Sequence, residues 1–193
     1  MNIKKTGLLM MLLIIMLCSC ASENADKDQT DSNKAAFYQD ILAEHEPADL
    51  EEYQNAEGES RLVTITFEEC ADILDSGTGI IYIGSAACAW CQRAVPELNS
   101  AALKEDVYIL YADSSQSFLK SQYDRICEKL KEYLENGELK APTVVAVENG
   151  VIKGYHKGTV ESFHLIDDSN WLNDEQKEEL QNIYRTMIKS IAY

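Results

Sequence analysis

Two cysteines three residues apart are the part of this sequence best suited to chemistry, in the motif Cys88-Ala89-Trp90-Cys91. They follow an apolar run, Ile80–Ile83, that is typical of a buried parallel strand, and they precede a helical stretch. At the first turn of a helix, unpaired backbone N–H groups and the helix dipole favour a thiolate. Because residues i and i+3 share a helix face, the second sulfur can attack a mixed disulfide formed on the first. The spacing predicts thiol–disulfide exchange, with Cys88 attacking and Cys91 resolving.

Two other interpretations of the cysteine pair remain open, a structural disulfide and half of a zinc site. Zinc normally needs four ligands, and the sequence has no second CxxC and no paired-His spacing. Haem attachment is excluded because Gln92, not histidine, follows Cys91. The scattered His45, His156 and His164 are predicted to be surface or loop residues. We therefore expect no metal, and no cofactor beyond the cysteines' own disulfide.

The elements around the motif alternate between strand and helix patterns. Strands are predicted at Leu62–Thr66, Ile80–Ile83, Val107–Tyr111, Thr143–Val147 and Val151–Tyr155. Helices are predicted to begin at the capping box of Thr66 with Glu69, near Cys88, near Leu119 (continuing to Leu134), and at Asn173 with Gln176. The order β-α-β-α-β-α-β-β-α indicates an α/β domain. Its early strands should be parallel, and its late pair should be a hairpin turning at Asn149-Gly150.

Several of these residues together resemble the thioredoxin superfamily. The matching features are the CxxC after a buried strand, Pro96 five residues beyond it, Ala141-Pro142-Thr143 before a strand, Asn149-Gly150 and Gly158. The resemblance extends from about Leu62 to Ala192. It implies a thioredoxin-like fold, in which a central mixed sheet is flanked by helices. It also implies that Ala141 and a cis-Pro142 form the loop that faces the cysteines and holds the substrate backbone.

Three positions depart from that family's pattern. The tryptophan usual before the first cysteine is Ala87 here, and Trp90 lies inside the pair, either contacting substrate or packing on the rim of the helix. The acidic residue that many members bury six positions before the first cysteine is Tyr82, so Cys91 needs water or another group to take its proton. The dipeptide Ala89-Trp90 matches neither the best-known reductase nor the best-known oxidase. Because CxxC potentials range from about −270 to −120 mV, the direction of transfer stays open.

The first twenty residues have the features of a secretion signal. Lys4 and Lys5 precede an apolar run, Gly7–Leu17, that is too short to cross a bilayer. The ending Leu17-Cys18-Ser19-Cys20 resembles a bacterial lipobox, which implies removal of residues 1–19 and lipidation of Cys20. A cleaved signal without lipid is the alternative. Either way the mature protein is expected outside the cytoplasm, where disulfides persist, and the lipid would anchor it to the bacterial cell membrane.

The charge of −16 argues against a nucleic-acid partner, which would need basic patches. Residues 20–60 are interpreted as an acidic tether that includes a short helix within Ala35–Glu46. Residues 61–193 then form the thioredoxin-like domain, which we expect to be monomeric. Cys70 and Cys127 lie on apolar helix stripes, and they are either two buried free thiols or a structural disulfide.

The predicted function is that of a membrane-anchored, extracytoplasmic thiol–disulfide oxidoreductase acting on the thiols and disulfides of protein substrates. The alternative is a non-catalytic accessory lipoprotein of the same fold that binds an exported peptide or a transporter. With its lipobox-like ending, the chain resembles extracytoplasmic thioredoxin-like lipoproteins, including those grouped with bacteriocin-transport accessory proteins.

Overall fold

The computed structural model of the protein describes residues 39, 40 and 42–192. The prediction of a signal peptide over residues 1–19 and of lipidation at Cys20 lies outside these residues. The strands are β1 (Leu62–Ile65), β2 (Gly79–Gly84), β3 (Ile109–Asp113), β4 (Thr143–Glu148) and β5 (Val151–Lys157). The helices are α1 (Phe67–Ser76), α2 (Ala89–Glu105), α3 (Lys120–Leu130) and α4 (Asp174–Ile188). The predicted order of elements is confirmed.

The strands form one mixed sheet in the order β1-β3-β2-β4-β5. The pairs β1–β3 and β2–β3 are parallel, because α1 and α2 provide the crossovers that parallel neighbours require. The pairs β2–β4 and β4–β5 are antiparallel. The β4–β5 hairpin turns at Asn149 and Gly150, which both have positive φ angles (49° and 71°), as the Asn-Gly signal predicted. This strand order and direction is that of the thioredoxin-like fold, so the predicted fold class is confirmed.

Helices cover both faces of the sheet. α2 and α4 pack on the face that carries Tyr82, Tyr111 and Val144, while α1 and α3 pack on the face that carries Ile81, Leu110 and other apolar strand residues. β2 is buried along its whole length, which explains its uninterrupted apolar sequence. The motif cysteines therefore follow the central strand of a sheet that is covered on both sides.

Helix ends follow local capping chemistry. The capping boxes of Thr66 with Glu69 and of Asn173 with Gln176 are both formed. β3 begins two residues later than predicted, because the Val107 N–H still bonds to the Ala102 carbonyl of the preceding helix (3.1 Å). α3 ends four residues earlier than predicted, ahead of the turn at Asn136 and Gly137, where φ is positive. Among the described residues, no helix is long and apolar enough to cross a membrane.

The prediction of a tether as far as residue 60 was wrong for its last part, which packs on the domain. Residues 39, 40 and 42–44 are helical, and Pro47 then forms an antiparallel bridge with Val63. The Ala48 N–H donates to the Leu62 carbonyl at 2.8 Å. Tyr53 is 3% exposed and belongs to the core beneath α2. The acidic residues around Tyr53 conceal this packing in the sequence.

Candidate active site

The end of β2 and the start of α2 bring the two motif cysteines together. Gly84 ends the strand, and the Cys88 N–H closes the following turn by donating to the Ser85 carbonyl at 3.1 Å. Cys88 has an extended backbone and is the N-cap of α2, where its Sγ accepts the Cys91 N–H at 3.3 Å. A sulfur at this position receives the hydrogen bond that a Ser or Asp oxygen usually accepts. The predicted location at the first helical turn is therefore correct.

The two thiols have opposite environments. Cys88 is partly exposed, whereas Cys91 is 0% exposed. A hydrogen bond from the Cys91 thiol, supported by the backbone N–H groups of Cys91 and Trp90, lowers the pKa of Cys88 to about 6. That same hydrogen bond, together with burial, raises the pKa of Cys91 well above its ordinary value. The arrangement makes Cys88 an accessible thiolate at neutral pH and keeps Cys91 protonated beneath it.

The loop before β4 faces the cysteines, as the resemblance implied. The Ala141–Pro142 peptide bond is cis. Cys88 Sγ lies 3.8 Å from the Ala141 carbonyl oxygen, to which its thiol can donate. The Pro142 carbonyl accepts the Gly158 N–H at 2.9 Å, which ties the loop to the end of β5. Ala141 thus sits beside the attacking sulfur.

A groove of about 350 Å³ is the candidate substrate site. Its wall includes Trp90, Phe163 and Ala141, and the Ala141 carbonyl oxygen lies 3.8 Å from Cys88 Sγ. The Trp90 and Phe163 rings meet edge to face with centroids 5.8 Å apart. Trp90 therefore packs on the rim and lines the groove at once, so both predicted roles are compatible with its position. Lys140, Lys157, Gly158, Thr159, Val160 and Glu161 complete the lining.

Arg93, two residues beyond Cys91 and one turn beyond Ala89, secures the loop that contains Asp167, Asp168 and Asn170, and it was missed in the sequence. Its side chain is 3% exposed and donates to the carbonyls of Ala89, Asp167, Asp168 and Asn170 at 2.8–3.3 Å. Its guanidinium also lies over the Trp171 ring, 4.3 Å from the centroid. Nothing local in the sequence indicates these contacts, because the accepting carbonyls of the loop are more than seventy residues away.

A cluster of buried tyrosines lies behind Cys91. Tyr82 and Tyr111 are register partners on β2 and β3, and their rings stack with centroids 5.0 Å apart. The Tyr53 and Tyr111 hydroxyls are 3.0 Å apart. Gly84 is needed at the end of β2, because a methyl group there would overlap the Tyr82 hydroxyl and come within 2.9 Å of Cys91 Sγ. The Tyr82 hydroxyl therefore occupies the space directly beside Cys91 Sγ.

The remaining cysteines and histidines lie away from this site. Cys70 and Cys127 are free thiols in the structure, so the disulfide alternative is not formed there, although α1 and α3, which carry them, cover the same sheet face. Burial raises the pKa of Cys70 to about 12. His156, predicted on the surface or in a loop, lies in β5 with its Nε2 atom buried. Within residues 39–192 no group of three or more His, Cys, Asp and Glu side chains could hold a metal ion.

No family model matches this sequence, and no curated protein matches it. Among solved structures, the chain is similar to thioredoxin from Aeropyrum pernix, with 22% sequence identity and a TM-score of 0.37. The match covers 55% of this chain and 79% of that chain. The assignment of a thioredoxin-like fold accordingly rests on the order and direction of the five strands and on the helices that flank them.

Proposed function

We propose that the protein is a thiol–disulfide oxidoreductase that acts on protein substrates through Cys88 and Cys91. The observation that carries the proposal is the pairing of a partly exposed, low-pKa sulfur at a helix N-terminus with a fully buried thiol one turn away. A structural disulfide has no need of a lowered pKa or of an adjoining groove. A catalytic pair needs both, because the thiolate is the nucleophile and the substrate must reach it.

The exchange can be written with its electrons balanced. The Cys88 thiolate attacks a substrate disulfide, forms a mixed disulfide and releases one substrate sulfur as a thiolate. Cys91 loses its proton and attacks Cys88 Sγ, which forms the Cys88–Cys91 bond and releases the second substrate thiolate. Two electrons pass from the cysteine pair to the substrate, and the reverse sequence oxidises a substrate dithiol. The groove beside Ala141 and Trp90 is where the substrate chain would lie.

We also propose that this reaction takes place outside the cytoplasm, on a domain anchored through lipid on Cys20. The support is the lipobox-like ending of the apolar N-terminal run and the persistence of disulfides in that compartment. Membrane fractionation of cells that express the chain and a Cys20→Ala variant tests it. We expect the unaltered chain in the membrane fraction and the variant outside it; equal partition of both would contradict the anchor.

Trapping of the mixed disulfide tests the catalytic proposal. A Cys91→Ser variant, incubated with a protein that contains an accessible disulfide, should form a covalent complex that dithiothreitol releases. Cys88→Ser is the matched control, and both proteins also carry Cys18→Ser, Cys20→Ser and Cys127→Ser. The control should form no complex, because its remaining cysteines, Cys70 and Cys91, are fully buried. Absence of a complex with Cys91→Ser, or an equal yield with Cys88→Ser, would exclude Cys88 as the attacking sulfur.

A non-catalytic accessory function is the second candidate, and the groove lined by Trp90 and Phe163 is the observation that favours it. Such a groove could hold a peptide without any exchange. A double variant, Cys88→Ser with Cys91→Ser, separates the two in cells. If cells with the double variant behave like cells that lack the gene, catalysis is supported. If they behave like cells with the unaltered gene, binding alone is supported.

A further inference from the structure

Proton removal from Cys91 is the step for which the site provides no direct solvent route. The thiol is 0% exposed, yet it must lose its proton to attack Cys88 Sγ. In the reduced protein, burial and the hydrogen bond to Cys88 both raise the pKa of Cys91, and burial still opposes its ionisation once Cys88 is held in the mixed disulfide. The Tyr82 hydroxyl and the Ser85 backbone N–H act in the opposite direction, because both can donate toward a Cys91 thiolate. Of the two, only the hydroxyl can both accept and donate a proton.

The Tyr82 hydroxyl is committed to no other structural role among the described residues. Tyr82 is 0% exposed, and its hydroxyl has no hydrogen bond of normal geometry. A buried hydroxyl without a partner is costly and calls for an explanation. It lies beside Cys91 Sγ, since a methyl group on Gly84 would meet both atoms. Cys91 and Tyr53 are the side chains that raise its pKa beyond the effect of burial.

Further hydroxyls extend this path toward the surface. Tyr53 and Tyr111 lie with their hydroxyl oxygens 3.0 Å apart, and either can be the donor. Asp113 lies two residues after Tyr111 on β3, so the two side chains share one face of the sheet, and Asp113 raises the pKa of Tyr111. Asp113 is only partly buried and accepts hydrogen bonds from Ser115. The series thus begins at Cys91 and ends at an acid that water can reach.

We propose that the Tyr82 hydroxyl relays the proton of Cys91 during exchange, through Tyr53 and Tyr111, to Asp113 and solvent. As Cys91 Sγ bonds to Cys88 Sγ, its proton passes to Tyr82, which gives its own proton to Tyr53. Tyr53 and Tyr111 do the same in turn, so every hydroxyl ends neutral. Tyr82 is then a catalytic residue, because its hydroxyl lies beside the reacting sulfur, while Tyr53 and Tyr111 carry the proton onward.

Burial favours a relay over a tyrosinate base. It raises the pKa of Tyr82 well above the ordinary value and that of Tyr53 to about 12, so both hydroxyls keep their protons at neutral pH. A neutral hydroxyl can accept a proton only while it donates one. The other titratable groups that interact with this cluster are Cys88 on α2 and Tyr184 on α4, with Glu97 on α2 acting on Tyr184.

The inference rests on the proposed function and is tested by separating the two chemical steps. Reduced protein mixed with excess Ellman's reagent should release one nitrothiobenzoate when Cys88 attacks and a second when Cys91 resolves the mixed disulfide. The reference protein and all variants carry Cys127→Ser, which removes the other partly exposed thiol among the described residues, and also Cys18→Ser and Cys20→Ser. Tyr82→Phe deletes only the hydroxyl. We expect an unchanged first phase and a second phase slower by about 10²-fold at neutral pH, recovering toward the wild-type rate as hydroxide increases.

The controls decide between a chemical and a structural effect. Tyr155→Phe removes another buried, unbonded hydroxyl, on the opposite face of the sheet, and should change neither phase. Cys91→Ala should abolish the second phase alone, which verifies its assignment. If Tyr82→Phe does not fold, Tyr53→Phe interrupts the same path one hydroxyl farther out and should slow the same phase with the same recovery at high pH.

The relay would be overturned if the second phase of Tyr82→Phe kept the wild-type rate and pH profile. The same holds for Tyr53→Phe where that variant replaces it. Either result would leave the proposed function intact. A wild-type protein without any second phase would instead contradict the exchange chemistry itself, and the relay with it.

Discussion

The low pKa of Cys88 should depend on the hydrogen bond that the Cys91 thiol donates to it. Two substitutions at Cys91 separate the contribution of this bond from that of the backbone N–H groups. Cys91→Ala removes the donor, whereas Cys91→Ser replaces it with a hydroxyl that can still donate. A hydrogen bond to a charged group contributes about 1.5–3 kcal/mol. Because Cys88 is partly exposed and solvent screens the interaction, the lower end applies, and about 1.5 kcal/mol corresponds to about one pKa unit.

The assay is the pH dependence of Cys88 alkylation by iodoacetamide, followed by mass spectrometry of the peptide that contains Cys88. The thiolate is the reacting form, so a lowered pKa moves the midpoint of the rate curve to lower pH. We expect a midpoint at about 6 for the reduced wild type and close to it for Cys91→Ser. For Cys91→Ala we expect a midpoint about one unit higher, still below the ordinary value because the Cys91 and Trp90 N–H groups remain. An unchanged midpoint in Cys91→Ala, or a wild-type midpoint near 9.0, would refute this account of Cys88.

Three further outcomes follow from the packing around the site. Tyr53→Ala should lower the free energy of unfolding by about 3 kcal/mol in urea titration, since Tyr53 is buried; a change under 1 kcal/mol would mean that residues 45–60 are a free tether after all. Gly84→Ala should destabilise the protein by about 1–3 kcal/mol in the same titration, because the new methyl overlaps the Tyr82 hydroxyl, and wild-type stability would show that the two do not meet. Thiol counting without reductant should find Cys70 and Cys127 free. Cys70 should be alkylated only after unfolding, because it is buried and burial raises its pKa to about 12. Detection of a Cys70–Cys127 disulfide would contradict this prediction.

Local patterns predict most of the fold, because each depends on residues close together in the chain. Thr66 and Asn173 identify helix starts through capping boxes that the structure forms, and Asn149-Gly150 identifies the hairpin. The apolar run of β2 predicts a strand covered on both faces. The loop of Ala141 and Pro142 beside Cys88 came from the family resemblance, since fifty residues separate it from the motif.

The features that were missed depend on pairings between distant segments. Tyr53 lies in an acidic stretch that resembles a linker, and its burial depends on Tyr111, fifty-eight residues later. Arg93 binds loop carbonyls that no side-chain pattern reveals. In the sequence, Tyr82 stands where many family members have a buried acid. Its position beside Cys91 depends on the turn after Gly84, which brings Cys91 back over the end of β2. Each of these contacts depends on how distant segments align in the folded protein, which hydrophobic periodicity does not specify.

Reversible coupling of Cys88 to Cys91 is the central claim, and a redox titration tests it most directly. The protein is equilibrated with a series of reduced and oxidised glutathione, and the oxidised fraction is measured by acid quenching and mass spectrometry. We expect one two-electron transition within about −270 to −120 mV, lost in Cys91→Ser, with both sulfurs alkylated only on the reduced side. A disulfide that stays oxidised down to below about −300 mV is typical of a structural bond, and that result, or no bond at any ratio, would contradict the account.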